Sequence, residues 1–214
     1  MEKAASEGGN CMNIVYHEQG RVFHLFNDSV SYIFMVLPHG GLGSLYYGKA
    51  LRDREGFEHI FERAHRGMTA CVFADTRSYS LDAIRQELPT YGSSDFRRPA
   101  LNVLQENGSR ILDLQYAGYC VMDGKPKLAG LPATYAEAET EAKTLIVEVK
   151  DELTGLRAEL LYTIFAEGGA IARSVRYINE GKKVLHLQKV MSMSIDLPDT
   201  DYEWLELTGA WARE

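Results

Sequence analysis

Carboxylates set close together are the first residues to weigh, because a pair in which one acts as acid and the other as base or nucleophile can form a catalytic site. Glu137, Glu139 and Glu141 alternate along a polar stretch, and Asp75, Arg77 and Asp82 gather around Tyr79. The glutamates read as the solvent face of a strand or as a charged turn. Other chemistries lack their patterns. His17, His24, His39, His59, His65 and His186 show no metal-ligand spacing, and none of Ser80, Ser94 and Ser192 sits in a nucleophile elbow. The glycines of "HGGLG" at 39–43 lack the Lys-Ser/Thr and helix start of a phosphate cradle. Trp204 and Trp211 could each stack on a sugar ring, but Trp204 lies in "YEWLEL", where half-burial on a strand is the ordinary fate. No cofactor and no metal are expected.

Two loops stand out between the strand-like runs. The first, "QELPTYGSSDFRRP" at 86–99, combines two prolines that fix φ and remove donors, a glycine free to take positive φ, and Asp95 and Arg97 flanking Phe96. An Asp and an Arg two apart in a Pro-bounded loop brace it through charge-assisted hydrogen bonds, or else line an interface. The second loop, "GKPKLAGLPATY" at 124–135, is again punctuated by Gly and Pro.

In this order and spacing the two loops resemble the N-terminal domain of the family 36 glycoside hydrolases, the bacterial α-galactosidases. The similarity extends through "RVFHLFNDSVSYIFMV", "LGSLYYGKALRD", "TRSYSLDAIRQE", "ARSVRYINEG", "LQKVMSMSIDLP" and "LTGAWARE". Residues 1–11 match nothing in that pattern and form an unmatched N-terminal extension, leaving 12–214 as the domain.

The resemblance implies a mainly antiparallel all-β sandwich of the galactose-mutarotase-like, supersandwich kind, with at most one short helix. It also implies an enzyme that hydrolyses terminal α-linked galactose in melibiose and raffinose-type sugars with retention. Its two catalytic aspartates belong to a (β/α)8 barrel that follows the domain, so no catalytic residue is assigned here. The chain reaches Glu214 before the remaining strands and that barrel, and by itself is expected to be inactive. By the same resemblance the enzyme is a homotetramer in which a loop of this domain helps shape a neighbour's pocket. Residues 49–77 are the expected source, with Asp53, Glu62, Arg63 and Arg77 as candidate pocket residues and Tyr91, Asp95, Phe96 and Arg97 as the structural signature loop. "FERAH" departs from the family's pattern at Glu62 and His65, where Asp and Phe are expected. A free-standing sugar-binding sandwich is the alternative from the binding class, and an enzyme whose carboxylates lie within the chain is the third.

Bulk properties agree with a protein of this kind. At 214 residues and 45% hydrophobic, the chain can bury a sizeable core as one β-rich domain. A net charge of -7 disfavours nucleic acid and anionic membrane surfaces as partners. No apolar run is long enough to cross a bilayer and no secretory signal precedes the domain, so a cytoplasmic location is expected. Cys11, Cys71 and Cys120 are too few and too scattered for a disulfide framework or a zinc knuckle.

Runs of period two, rich in β-branched and aromatic residues, predict strands at 22–26, 30–37, 43–48, 101–105, 110–122, 144–151, 156–166, 170–179, 183–197 and 202–207. Turn chemistry predicts hairpins within 144–165 and, around Asn179-Glu180-Gly181, within 171–190. Asn107-Gly108 is a further hairpin signal. Helix-like apolar spacing appears only at 56–68, read as a short helix or a structured loop.

Overall fold

The computed structural model describes residues 12–64, 70–74, 76, 79–130, 133–197, 200–203, 205–206 and 209. Its strands, in chain order, are β1 (Asn13–His17), β2 (Val22–Phe26), β3 (Val30–Val36), β4 (Leu42–Lys49), β5 (Leu101–Gln105), β6 (Gln115–Asp123), β7 (Ala142–Asp151), β8 (Leu156–Phe165), β9 (Ile171–Asn179) and β10 (Leu185–Val190). Strands β1 to β4 form one antiparallel meander and β6 to β9 a second, while β5 pairs with β10 apart from both. Helical structure among the described residues is limited to single 3-10 turns at Phe57–Ile60, Leu81–Ala83 and Glu139–Glu141.

Alternation along the strands builds the sandwich. On β2 and β3, Phe23, Leu25, Val30, Tyr32 and Phe34 point inward, and on β7 and β8 Leu145, Val147, Val149, Leu160 and Tyr162 meet them in one core. Phe34 stacks on Tyr162 across the core with ring centroids 4.8 Å apart. The outer face of the second meander is charged: Glu148 and Glu159 lie opposite each other on β7 and β8, and Arg157 contacts both at 3.1 and 2.7 Å. Arg176 on β9 also pairs with Glu159, so what would be a repulsive cross-strand pair is neutralised. Asn27, in the turn between β2 and β3, joins the two sheets: its amide donates to the Phe165 and Gly168 carbonyls at 2.8 and 2.7 Å, and its Oδ1 accepts from the backbone of Ser29 and Val30.

Several expectations from sequence need correction. Residues 171–190 are not a hairpin: β9 pairs with β8, and β10 crosses to β5. A turn signal at Asn179-Glu180-Gly181 specifies a chain reversal but not which strand edge the next segment meets. The Asn107-Gly108 turn forms, with Gly108 at φ +83° and its N–H on the Gln105 carbonyl, yet the chain runs on without strand structure to Gln115 and β6 pairs with β7. The 183–197 run is strand only over Leu185–Val190, and the described residues of 202–207 are not strand. Strand β1 was missed. The short helix or structured loop read at 56–68 is, among the described residues, a single 3-10 turn at Phe57–Ile60.

Glu87 is a fully buried acid that meets side chains from both sheets. The Tyr32 hydroxyl on β3 donates to its carboxylate, 2.8 Å from Oε2 and 3.0 Å from Oε1, and the Tyr162 hydroxyl on β8 donates to Oε2 at 2.9 Å. Arg173 on β9 places Nη1 3.4 Å from Oε2, donates from Nη2 to the Glu87 carbonyl at 2.6 Å, and lies over the Tyr162 ring. Burial, reinforced by the Glu87 charge, pushes both tyrosine hydroxyls well above their ordinary range, so they stay protonated donors. Replacing Arg173 by Met leaves Glu87 as an uncompensated buried charge and is expected to cost about 3–5 kcal/mol, whereas Tyr162→Phe removes one donor and costs about 1–3 kcal/mol. Urea unfolding followed by circular dichroism checks both the sizes and their order.

Candidate functional site

Strand alternation also dictates what the first meander shows on its other face. Because Tyr16, Phe23, Leu25 and Tyr32 turn inward or pack on the core, His17, His24 and Ser31 turn outward. The chain leaving β4 folds back over this face. Ala50 N–H bonds the Ser29 carbonyl at 3.2 Å, Leu51 N–H bonds Ser31 Oγ at 2.9 Å, and Phe57 seats itself among Val22, Ile33 and Leu45. Asp53 is thereby set on the two histidines, its Oδ1 2.9 Å from His17 Nε2 and 2.7 Å from His24 Nδ1, while His24 Nε2 lies 2.9 Å from Ser31 Oγ.

The three residues differ in burial. The His24 side chain has no exposure, His17 is 11% exposed and Asp53 30%, and Asp53 borders an open cleft with Leu51, Arg52, Arg54 and Phe57. Burial lowers the His24 pKa below 6.5, and the hydrogen bond and charge of Asp53 recover only part of that. Burial raises the Asp53 carboxyl, but hydrogen bonds from His24 and His17 outweigh it and hold the group below 3.8. At neutral pH the site is therefore a carboxylate facing a neutral His24. A proton must lie between them, so His24 carries it on Nδ1, and Nε2 accepts from the Ser31 hydroxyl. The donor atoms of His17, His24 and Asp53 all lie within 4.8 Å of one another, a gathering that sequence spacing did not reveal.

The remaining pocket candidates do not converge on Asp53. Glu62 is mostly exposed and sits 3.6 Å from Arg85. Arg63 lies over the Phe61 ring at 5.6 Å, and among the described residues no hydrogen bond or ion pair links Glu62 or Arg63 to Asp53. Arg77 lies outside the described residues, as do Asp75, His65, Trp204 and Trp211.

The glycosyl hydrolase family 36 N-terminal domain model matches residues 40–214. The chain belongs to that family. It is 43% identical over 203 residues to the α-galactosidase AgaA of Geobacillus stearothermophilus, covering 95% of this chain and 28% of AgaA. To the α-galactosidase Mel36A of Lactobacillus acidophilus it is 37% identical, covering 94% of this chain and 28% of that protein. Among solved structures, the family 36 α-galactosidase AgaB of Geobacillus stearothermophilus superposes with a TM-score of 0.86 at 42% identity, over 95% of this chain and 27% of its own. A variant of AgaA in complex with raffinose gives 0.83 at 44% identity, over 90% of this chain and 27% of its own. The chain thus spans a little over a quarter of the length of these relatives.

Within this family 36 domain the first signature loop is a braced turn. Asp95, 2% exposed, accepts from Arg97 Nε at 3.0 Å on Oδ1 and from Arg97 Nη2 at 2.9 Å on Oδ2, where Gln86 Nε2 also donates at 2.7 Å. Arg97 Nη2 reaches on to the Leu81 and Ile84 carbonyls, tying the loop to the 3-10 turn before it. Gly92, at φ +108°, packs so closely on Ile111 that a Cβ would fall 2.8 Å from its Cγ2. Tyr91 and Phe96 are exposed and meet edge to face at 5.5 Å. The second loop borders a cleft of about 410 Å³ with the outer faces of β8 and β9, among them Leu161, Thr163, Ala172 and Ser174. A groove of about 480 Å³ at the strand ends, lined by Lys150, Glu152, Glu180 and Lys183, is a crease between turns whose Lys150 and Glu180 pair at 3.6 Å.

The histidines beneath Asp53 carried one readable signal, since His24 breaks the apolar run Val22–Phe26 at the position whose neighbours Phe23 and Leu25 face the core. His24 stabilises the fold as the neutral base, so its contribution is present above 6.5 and is lost as pH falls below that value toward its lowered folded pKa. Asp53 has the carboxylate pattern, with stability present above 3.8 and lost as pH falls through its lower folded value. The difference in thermal midpoint between the wild type and His24→Gln is expected to be constant above pH 6.5 and to shrink as the solution is acidified below it; calorimetry across that range reads it directly.

Proposed function

We propose that residues 12–214 are the N-terminal, non-catalytic β-sandwich of a longer cytoplasmic α-galactosidase that hydrolyses terminal α-linked galactose in melibiose and raffinose-type oligosaccharides. The observation that carries this reading is a match over 95% of the chain to 28% of an α-galactosidase at 43% identity. The raffinose complex of an AgaA variant supports the substrate class. Both catalytic carboxylates then belong to the part of the enzyme beyond these residues. The sandwich buttresses that part, joins subunits of a homotetramer, and lends the segment carrying Asp53, Glu62, Arg63 and Arg77 to a neighbour's substrate pocket. A half-buried carboxylate on a paired-strand support, between two exposed arginines, suits a sugar hydroxyl.

Support for a buttressing role comes from Leu187, Val190, Met191, Met193 and Leu197, which are all exposed on β10 and the segment after it. The isolated 214-residue chain is expected to self-associate with rising concentration in sedimentation velocity; a monodisperse monomer at all concentrations would count against this role. Incubated with a chromogenic α-galactoside, the folded chain is expected to show no turnover above a blank, and turnover that copurifies with it would sink the reading. In the longer enzyme, Asp53→Asn removes one charged acceptor and is expected to lower kcat/KM by about tenfold or more.

A further inference from the structure

The geometry points to His17 and His24 as positioning residues for Asp53: they occupy one oxygen of its carboxylate and leave the other as the acceptor for a hydroxyl of the bound α-galactoside. This rests on the proposal that the segment carrying Asp53 borders a neighbour's pocket. Both imidazoles bond Oδ1, at 2.9 and 2.7 Å, and among the described residues no hydrogen bond reaches Oδ2. An ion pair serving stability alone gains most when both carboxylate oxygens are engaged, as Asp95 shows with Arg97 and Gln86. Asp53 instead keeps one oxygen uncommitted beside the cleft formed with Arg52, Arg54 and Phe57.

The support stands on regular structure and the supported group does not. Asp53 lies in a segment with neither strand nor helix, whereas His17, His24 and Ser31 stand on three adjacent paired strands. The hydrogen bonds close into a ring. Leu51 N–H bonds Ser31 Oγ, the Ser31 hydroxyl meets His24 Nε2, and His24 Nδ1–H meets Asp53, so the backbone of the segment and its carboxylate share one anchor. Phe57 closes the other side, its ring edge-on to His24 at 5.0 Å. A carboxylate held this way has little rotamer freedom left to lose when a sugar hydroxyl arrives, and an unsupported one in an open segment would have to be ordered by the ligand.

His17 is the residue to vary, because His24 is fully buried and its replacement can disturb the fold. In the full-length enzyme, His17→Leu removes one donor and is expected to raise KM for a chromogenic α-galactoside by about tenfold, with sedimentation unchanged and the thermal midpoint lowered only by the loss of that one hydrogen bond. His17→Gln, which keeps an N–H donor at that reach, is expected to restore KM to within about twofold of wild type. If Asp53→Asn impairs activity while His17→Leu leaves KM unchanged, the positioning role falls and the pocket reading stands; if Asp53→Asn is itself silent, both fall. On the 214-residue chain, 15N NMR should find neutral His24 protonated at Nδ1, and the Nε2–H tautomer would overturn the proposal whether or not the variants fold. Zinc titrated into the same chain is expected to bind only weakly; tight one-to-one binding abolished by His17→Leu would make the cluster a metal site and refute the positioning role.

Discussion

A single buried carboxylate ties both sheets to the segment that crosses between them. Glu87 comes from the strap between β4 and β5, and it accepts from Tyr32 in one sheet and Tyr162 in the other while facing Arg173 at the margin of the second. An ionised group in an apolar core is tolerated only when its lone pairs are satisfied and its charge is countered. Satisfying Glu87 therefore fixes the relative register of both meanders and the path of the strap. Apolar side chains between the sheets can slide past one another at modest cost, but these directional bonds cannot.

From that fixed core the rest of the strap follows. Gln86, next to Glu87, donates to Asp95; Asp95 holds Arg97; and Arg97 reaches back to Leu81 and Ile84. The signature loop is braced by these contacts and by the Ser94 hydroxyl, which accepts from the Leu81 N–H, with Gly92 allowing the tight approach to Ile111. Its exposed rings, Tyr91 and Phe96, are left on the surface above this brace.

The first meander uses its two faces for different purposes. Inward, Phe23, Leu25, Tyr32 and Phe34 supply the shared core, so that sheet is already stabilised before anything covers its back. Outward, it can carry His17, His24 and Ser31, polar groups that would be costly inside the sandwich and that become a platform once the 50–57 segment folds over them. The candidate site is thus a by-product of strand alternation combined with a crossing loop.

The sequence by itself determined most of the strands, the family and the unusual loops. Alternation is local, so β2, β3, β4, β5, β7, β8 and β9 were legible to within a few residues, and the two Gly- and Pro-marked loops were conspicuous in kind and order. The Asp95 and Arg97 brace was also within reach, because two residues apart in a tight turn leaves few other partners. Pairing was not legible where it was nonlocal: β10 joins β5 from 80 positions away along β10's first pair, Leu185 with Gln105. No turn residue encodes that choice, which depends on which edge is free once the two meanders have closed. The cluster at Asp53 was invisible for the same reason. His17, His24 and Asp53 share no spacing rule, and only the folding of the chain after β4 across the outer face of β1 to β3 brings their polar atoms within 4.8 Å of one another. Local periodicity decides which face a side chain takes, and tertiary closure decides what it meets there.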